Sequence, residues 1–169
     1  MNRVTLNSTL NRAAAAALFF CVIGLVLGSI IKPASAEFRR ETLTLVLGGG
    51  SGAKVPIDIE VAASSEEKSQ GLMFRRSLGD RQGMLFEYEG PQEITMWMKN
   101  TYIPLDMVFI RTDGTVHRIA AMTEPFSEDV IASMGDAIAV LELNGGAAGR
   151  LGLKPGDRIE HAFFKPRAK

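Results

Sequence analysis

Apolar residues recur at every second position in several segments of this chain, and this period limits the folds that the chain can adopt. In VPIDIEV, over 55–61, four aliphatic side chains share one face while Asp58 and Glu60 share the other. The segment TLTLVL, over 42–47, alternates in the same way. A period of two is typical of a β-strand that buries one face. The pattern therefore predicts a chain built mainly from strands, the first two of which are joined by the flexible turn GGGSGAK.

Two short helices are expected between the strands. Ser64 followed by Glu67 fits a capping box, in which each side chain satisfies a backbone N–H of the other residue. It predicts a short helix that unwinds over 71–76, and a second short helix is expected to start at Asn144. The segment KPGD, over 154–157, is typical of a turn. Further strands are expected over 84–88, 94–99, 105–112, 115–122, 137–143 and 158–164.

The segment LDMVFIRTDGTVHRIAAM predicts a β-hairpin. Asp113 and Gly114 suit the central positions of a type I′ turn, which connects two strands through two residues. That loop would place Asp106 opposite Ala121 in the ladder. His117 would then lie about four residues along the ladder from Asp106, or about 13 Å away, so the two side chains do not form an acid–base pair.

The N-terminus has the features of a leader. Arg3 and Arg12 precede an uncharged apolar run over 13–31, and the triplet ASA precedes Glu37. A basic region, an apolar region and a small-residue cleavage pattern in this order are typical of a secretory signal peptide. We therefore expect a signal peptide over 1–36.

The expected mature part spans 37–169, enough for a single β-rich domain, and it has no cysteine, since Cys21 lies in the leader. Disulfides, a cysteine nucleophile and a thiolate metal site are therefore not expected. The leader holds three of the 19 basic residues and none of the 19 acidic ones, which leaves 16 basic against 19 acidic residues, a net charge of −3. That balance argues against nucleic acid as a partner. We expect a periplasmic or secreted domain or, if the leader stays uncleaved, one anchored in the inner membrane by residues 13–31.

Five segments together resemble a known protein family. GLMFRRSL, GMLF, WMKNTYIPLDMVFI, VLEL and KPGD follow one another in the order and spacing of the domain-of-unknown-function 192 family, over residues 55–164. The resemblance implies a mainly β domain of sandwich or jelly-roll type that is often exported in bacteria, and it implies no reaction. We expect a β-sandwich, a jelly-roll-like fold or a half-open barrel, with one or two short helices.

Polar side chains stand inside apolar segments at several positions, and these are the candidate site residues. MWMKNTYIPLD carries Lys99, Asn100 and Asp106, and AVLEL carries Glu142. Burying an unpaired amide or charge costs about 1 to 3 kcal/mol or more, so such groups satisfy one another or face a ligand. Lys99 could lay its stem along the ring of Trp97 and hold an anion. We expect a cleft for a small polar or anionic ligand, or for a cell-envelope partner, lined by Arg75, Trp97, Lys99, Asn100, Asp106 and Glu142.

The same residues also allow other roles. Lys99 could form an ion pair with Asp106 or Glu142, Asn100 could make hydrogen bonds within a turn, and Arg75 could be a solvated loop residue. If Asp106 and Glu142 met in one pocket, they could act as the acid and base of a hydrolase. Carboxylates in apolar strands are more often structural than catalytic, so binding is favoured over catalysis.

The methionines suggest another function. Met96 and Met98 flank Trp97, and thioethers select Cu(I), an ion that an exported protein could meet. Methionine is also an adaptable filler of irregular cores, and neither His117 nor His161 lies at ligand spacing from this pair. Cu(I) binding through Met96 and Met98 is therefore a further alternative, and no cofactor is expected.

Cleavage of the leader is directly testable. Mass spectrometry of the protein expressed in a host with a Sec pathway should give a chain that begins at Glu37 in the periplasmic or secreted fraction. An intact N-terminus at Met1 or Asn2 in the membrane fraction would show instead that residues 13–31 act as an anchor.

Overall fold

Seven strands form one sheet that curls into a half-barrel. The computed structural model describes residues 38–50 and 52–164, all within the unit that spans 34–169. The predicted leader over 1–36 lies outside the described residues. In the part of the chain that the structure describes, none of the helices has the length and hydropathy that crossing a bilayer requires. The predicted mainly β fold is confirmed, with the half-open barrel as its architecture.

The strands and helices are defined as follows. They are β1 (Arg39–Val46), α1 (Leu47–Gly50), β2 (Lys54–Ala62), α2 (Ser65–Gln70), β3 (Gln82–Met96), β4 (Leu105–Ile110), β5 (Val116–Thr123), β6 (Ile131–Asn144), α3 (Ala147–Leu151) and β7 (Arg158–Glu160). The strands lie in the order β5-β4-β6-β3-β2-β1-β7, and only β2 and β3 are parallel. Helix α1, which was not expected, is little more than a turn, since Gly48 and Gly49 have φ of 65° and 70°.

The two edges of the sheet meet at one end of the half-barrel. Thr115, just before β5, forms a β-bridge with Arg158 at the start of β7. A backbone hydrogen bond from Val116 N to Asp157 O, at 2.8 Å, continues this contact. Because β5 and β7 are the first and last strands of the sheet order, these bonds pair part of each edge that would otherwise stay open.

Alternation of side chains gives the sheet two apolar faces. All seven strands contribute to the first cluster, which fills the inside of the curl and includes Leu43, Ile57, Ile59, Val61, Leu85, Val108, Val116, Leu141, Leu143 and Ile159. The predicted alternation over 55–61 is therefore confirmed. The second cluster lies on the outer face of the middle strands and includes Met84, Phe86, Met107, Phe109 and Val140. Leu72, after α2, and Met98, after β3, also belong to it, so the segments that carry them cover this outer face.

Helix α2 begins where the sequence predicts. Ser64 Oγ accepts a hydrogen bond from Glu67 N at 3.2 Å, and Glu67 Oε2 accepts one from Ser64 N at 2.8 Å, which completes the capping box. The helix ends at Gly71, which has φ of 45°. An added Cβ there would lie 3.0 Å from Cζ of Phe86, so glycine lets the chain turn closely against the outer face of the sheet.

The hairpin between β4 and β5 differs from the prediction at its loop. Gly114 N donates to Arg111 O, Arg111 N donates to Thr115 O, and Gly114 has φ of 83°. The loop is therefore a type I turn followed by a left-handed glycine, with three residues, and the predicted two-residue type I′ turn is wrong. Away from the loop, Val108 pairs with Ile119 in the predicted register.

Strand β3 is longer than predicted. It joins the two strands expected over 84–88 and 94–99 into one, and it ends at Met96. The chain then leaves the sheet, and Asn100 takes a left-handed conformation with φ of 54°. The segment over 97–100 is therefore a turn above the outer face and not the continuation of a strand.

Asp106 holds one end of the half-barrel together. A bulge in β5 places both Ala121 and Met122 beside it, so the predicted pairing with Ala121 alone is wrong. Asp106 Oδ1 accepts hydrogen bonds from Met122 N at 2.8 Å and from Gly146 N at 2.9 Å, and Oδ2 accepts one from Ala148 N at 2.9 Å. Its side chain is fully buried. The carboxylate thus joins β4 to β5 and to the start of α3.

Replacing Asp106 tests this role. In Asp106→Asn, one acceptor oxygen becomes an NH2 group that faces backbone N–H groups, so the free energy of unfolding should fall by about 2 to 5 kcal/mol. Thermal melts should then show a Tm lower by roughly 10 °C or more. Lys99→Met removes an exposed charge, keeps much of the stem and should be nearly neutral. A destabilised Lys99→Met beside an unaffected Asp106→Asn would contradict these assignments.

Candidate functional site

A cavity of about 470 Å³ lies on the outer face of the half-barrel. Strands β3 and β6 form its floor, and α2 with the turn that follows it and the segment after β3 form its walls. Leu72, Met73, Phe86, Tyr88, Met96 and Trp97 give it a mainly apolar and aromatic lining. Lys68, Lys99 and Glu142 are its basic and acidic residues, and Tyr88 adds a phenol group. This cavity, called the Glu142 cavity below, has the size of a site for a small ligand.

Hydrogen bonds to sulfur hold two walls of the cavity in place. Tyr88 Oη donates to Met96 Sδ at 3.7 Å, and Asn100 Nδ2 donates to Met73 Sδ at 3.8 Å. Such contacts are weak, but each one orients a long and flexible methionine side chain. Asn100 therefore stands behind the wall that Met73 forms and does not line the cavity itself.

Glu142 lies at the floor of the cavity. On β6, Leu141 and Leu143 pack inside the half-barrel, so Glu142 between them points outward. Its cross-strand neighbours are Met84 on β3 and Met107 on β4, both fully buried. Glu142 is only 4% exposed, and among the described residues no group forms a hydrogen bond or an ion pair with its carboxyl.

Burial raises the pKa of Glu142 from 4.5 to about 8, because the apolar surroundings disfavour the charged form. At pH 7 the carboxyl is therefore mainly neutral and can both donate and accept a hydrogen bond. Burial also raises the pKa of Tyr88, and the charge of Glu142 adds to that shift. Strongly shifted groups of this kind in a cavity are candidates for a functional role.

The two lysines of the cavity differ in how firmly their ammonium groups are held. Lys68 Nζ donates to two backbone carbonyl oxygens, at 2.6 and 2.8 Å, so its ammonium group is fixed. Lys99 Nζ lies 5.2 Å from the centre of the Trp97 ring and 3.9 Å from Glu128 Oε1. Its side chain is 41% exposed and its ion pair is long, so Lys99 can turn toward a ligand at the rim.

Of the six predicted candidates, Trp97, Lys99 and Glu142 line this cavity. The strand expected over 94–99 would have placed Trp97 and Lys99 on one of its faces, but β3 ends at Met96, so that part of the prediction is wrong. A turn above the outer face brings both side chains to the cavity instead. Asn100 lies next to this group in the chain but takes part only through its contact with a methionine of the wall.

Asp106 lies on the opposite side of the sheet from Glu142. In the pairing of β4 with β6, Asp106 stands beside Leu143, while Met107 stands beside Glu142. Successive residues of a strand point to opposite faces, so the two carboxyl groups do not share a pocket. This geometry excludes Asp106 and Glu142 as the acid and base of a hydrolase. The expected ion pair of Lys99 with either carboxyl is also absent among the described residues.

Arg75 belongs to a different groove. Its guanidinium forms an ion pair with Glu60 on β2. Both residues line a second cavity with Arg40 and Gln82, and Glu142 is not part of that lining. Because the guanidinium of Arg75 is already paired with Glu60, it is not free to bind an anion.

Met96 and Met98 do not face the same space. Met96 lines the Glu142 cavity, whereas Met98 is fully buried in the outer cluster. Met98 Sδ accepts a hydrogen bond from Thr123 Oγ1 at 3.1 Å. The geometry therefore does not support a Cu(I) site formed by this pair. Within 38–50 and 52–164, no group of three or more His, Cys, Asp or Glu side chains is placed to hold a metal ion.

Reasoning from sequence missed much of the lining of the cavity, including Lys68, Met73 and Tyr88. They come from α2, from the turn after it and from β3, so only the folded chain brings them together. One signal was available in the sequence. Tyr88 continues the alternation of Met84 and Phe86, which places it on the same outer face.

The DUF192 family model, described as an uncharacterized ACR, matches residues 48–161. The chain belongs to this family. The resemblance inferred from the sequence motifs over 55–164 is thereby confirmed. Among curated proteins, no match to the chain was found.

Two solved structures are similar to this chain. A proposed transcription regulator from Sinorhizobium meliloti 1021 has 42% sequence identity and a TM-score of 0.72, over 75% of this chain and 97% of that protein. A protein of unknown function from Novosphingobium aromaticivorans DSM 12444 has 42% identity and a TM-score of 0.70, over 76% of this chain and 89% of that protein. Neither description names a ligand.

The raised pKa of Glu142 makes the stability of the protein depend on pH. The carboxyl loses its proton near pH 4.5 in the unfolded chain but only near pH 8 in the folded protein. Between these values the folded state binds more protons, so the free energy of unfolding falls as the pH rises. Glu142→Gln removes the titrating group and keeps its shape. The variant should match the wild type near pH 4.5 and exceed its free energy of unfolding by about 3 to 5 kcal/mol at pH 8.

Urea denaturation at a series of pH values measures this difference. Glu89→Gln is the matched control, because Glu89 is an exposed carboxylate on the neighbouring strand β3. Because Glu142 is intact in Glu89→Gln, this variant should show the same dependence of stability on pH as the wild type. A wild type that is as stable as Glu142→Gln at pH 8 would contradict the description of Glu142 as a buried carboxyl without a partner.

Proposed function

We propose that this protein is a periplasmic or secreted binding protein that holds a small polar or anionic ligand in the Glu142 cavity and catalyses no reaction on it. One observation carries the proposal: the buried carboxyl of Glu142 faces the cavity and has no partner among the described residues. Buried polar groups that serve the fold are hydrogen-bonded, because leaving one unpaired costs about 1 to 3 kcal/mol. A ligand in the cavity would supply the missing partner.

The lining of the cavity supports an amphipathic ligand. Met73, Phe86 and Met96 offer apolar surface to a hydrocarbon body. Glu142 offers a polar contact at the floor, and Lys99 offers a positive charge at the rim. A small molecule with an apolar middle and an anionic group near solvent would use all of these contacts.

Nucleic acid is not part of the proposal. The relative from Sinorhizobium meliloti is described as a proposed transcription regulator. The whole sequence has 19 basic and 19 acidic residues, and three of the basic ones lie in the predicted leader. The residues that follow the leader therefore include 16 basic and 19 acidic ones. Attraction between basic residues and phosphate groups supplies much of a protein's affinity for nucleic acid. A chain with no excess of basic residues has little of this attraction.

A cell-envelope partner is a second candidate, and one surface favours it. The ring of Tyr102 contacts the rings of Phe74 and Phe126, with centroid distances of 6.0 and 5.3 Å. Phe74 and Phe126 are 60% and 59% exposed, and both have φ of 64°. Left-handed backbone is unfavourable for phenylalanine, and such strain is found mainly where function requires it. The exposed aromatic surface therefore supports contact with another component of the envelope.

Titration with six-carbon probes tests the cavity. Hexanoate presents a carboxylate to Lys99 and a chain to the walls, and hexan-1-ol presents a polar group without charge. Because Trp97 is the only tryptophan and lines the cavity, saturable binding should shift its fluorescence. Such small molecules should bind with a Kd on the order of 1 mM. Lys99→Gln should weaken hexanoate binding about threefold and leave hexan-1-ol binding unchanged.

Lys54→Gln is the control for charge, because Lys54 is an exposed lysine that pairs with Glu160, away from the cavity. It should bind both probes like the wild type. No saturable response of the wild type to either probe would contradict a binding role for the cavity. A binding role for the cavity would also be contradicted if Lys54→Gln and Lys99→Gln weakened the binding of hexanoate equally.

A further inference from the structure

We propose that the ligand of the Glu142 cavity is a small zwitterion, an inference that rests on the proposed function. Its ammonium group pairs with Glu142 at the floor, and its anionic group faces Lys99 at the rim. The two ends of the cavity thus recognise the two opposite charges of one molecule.

Glu142 stands where an apolar residue would serve the fold better. Its neighbours on β3 and β4 are Met84 and Met107, both fully buried. A hydrogen bond to a neutral ligand group could be made equally well by the amide of a glutamine, which has the same shape. What a carboxylate adds is a full negative charge, and the ligand group that matches it is a cation.

No cation of the described chain is placed to pair with Glu142. Lys68 Nζ is held by the backbone carbonyl oxygens of Ala63 and Glu87. Lys99 stands at the rim, where its side chain is 41% exposed. Neither lysine lowers the pKa of Glu142, which is raised by burial alone. The positive charge therefore has to come from the ligand.

The walls between the two ends suit a short alkylammonium chain. Phe86, Tyr88 and Trp97 present aromatic rings, and Met73 and Met96 present thioethers. Aromatic faces attract cations, and thioethers pack well against methylene groups. A bare alkylammonium ion would be repelled by the two lysines of the cavity. An anionic group on the same molecule offsets this repulsion and pairs with the lysine at the rim.

Binding of an ammonium group changes the protonation of Glu142. The free carboxyl has a pKa of about 8, so at pH 6.5 the protein should release close to one proton for each ligand bound. The affinity should rise about tenfold per pH unit below pH 8 and level off above it. Lys68 from α2, Tyr88 from β3 and Lys99 from the following turn are the other titratable groups that line the cavity. The effect is therefore assigned with Glu142→Gln.

Isothermal titration calorimetry with ω-amino acids of four, six and eight carbons tests the proposal. The series varies the distance between ammonium and carboxylate, and hexanoate and hexylamine each carry only one of the two charges. At pH 8, at least one amino acid should bind about tenfold more tightly than either single-charge probe. Titrations at pH 6.5 in two buffers of different ionisation enthalpy count the proton released.

Glu142→Gln should bind the amino acids no more tightly than hexanoate and should release no proton. Glu89→Gln, which changes an exposed carboxylate, should behave like the wild type. If hexanoate or hexylamine binds more tightly than every amino acid, the proposal of a zwitterionic ligand is wrong, while the proposed function stands. The same holds if the preference survives in Glu142→Gln, or if binding releases no proton. If neither these probes nor hexan-1-ol bind, both the zwitterionic ligand and the proposed function are wrong.

Discussion

Strand β6 constrains the rest of the structure, because it hydrogen-bonds to β3 on one side and to β4 on the other. Its alternating side chains supply both apolar faces: Leu141 and Leu143 pack inside the half-barrel, and Val140 packs outside. Glu142 must follow the same alternation, so it points outward beneath α2. A slip of one residue would turn this carboxyl into the inner core and expose two leucines on the outer face. The register that builds the core therefore also builds the cavity.

The buried carboxyl groups of Asp106 and Glu142 are accommodated in different ways. Asp106 accepts three backbone hydrogen bonds, from Met122, Gly146 and Ala148. These donors replace the water that the carboxylate loses on folding and give it a structural role. Glu142 has no such donors among the described residues, so burial raises its pKa to about 8 instead. The contrast assigns Asp106 to the fold and leaves Glu142 available to a ligand.

Local signals in the sequence predicted local structure well. The alternation over 55–61 and the capping box of Ser64 and Glu67 depend on residues a few positions apart, and both are present. The cavity depends on contacts that no period reveals. The left-handed conformation of Asn100 takes the chain out of β3, and the register of β4 against β6 puts Asp106 on the other face from Glu142. Polarity in an apolar strand identified both carboxyls but did not distinguish their roles.

The protonation state of Glu142 separates an anchor for a ligand from a passive core residue. A 13C NMR titration of its side-chain carboxyl carbon, assigned with Glu142→Gln, measures that state directly. We predict a midpoint near pH 8 in the free protein. In the protein saturated with the tightest-binding ω-amino acid, the midpoint should fall below about pH 6, because the ammonium group stabilises the charged form. A midpoint near 4.5 in the free protein, or one that the amino acid does not lower, would contradict the role of Glu142 as the anchor of a ligand.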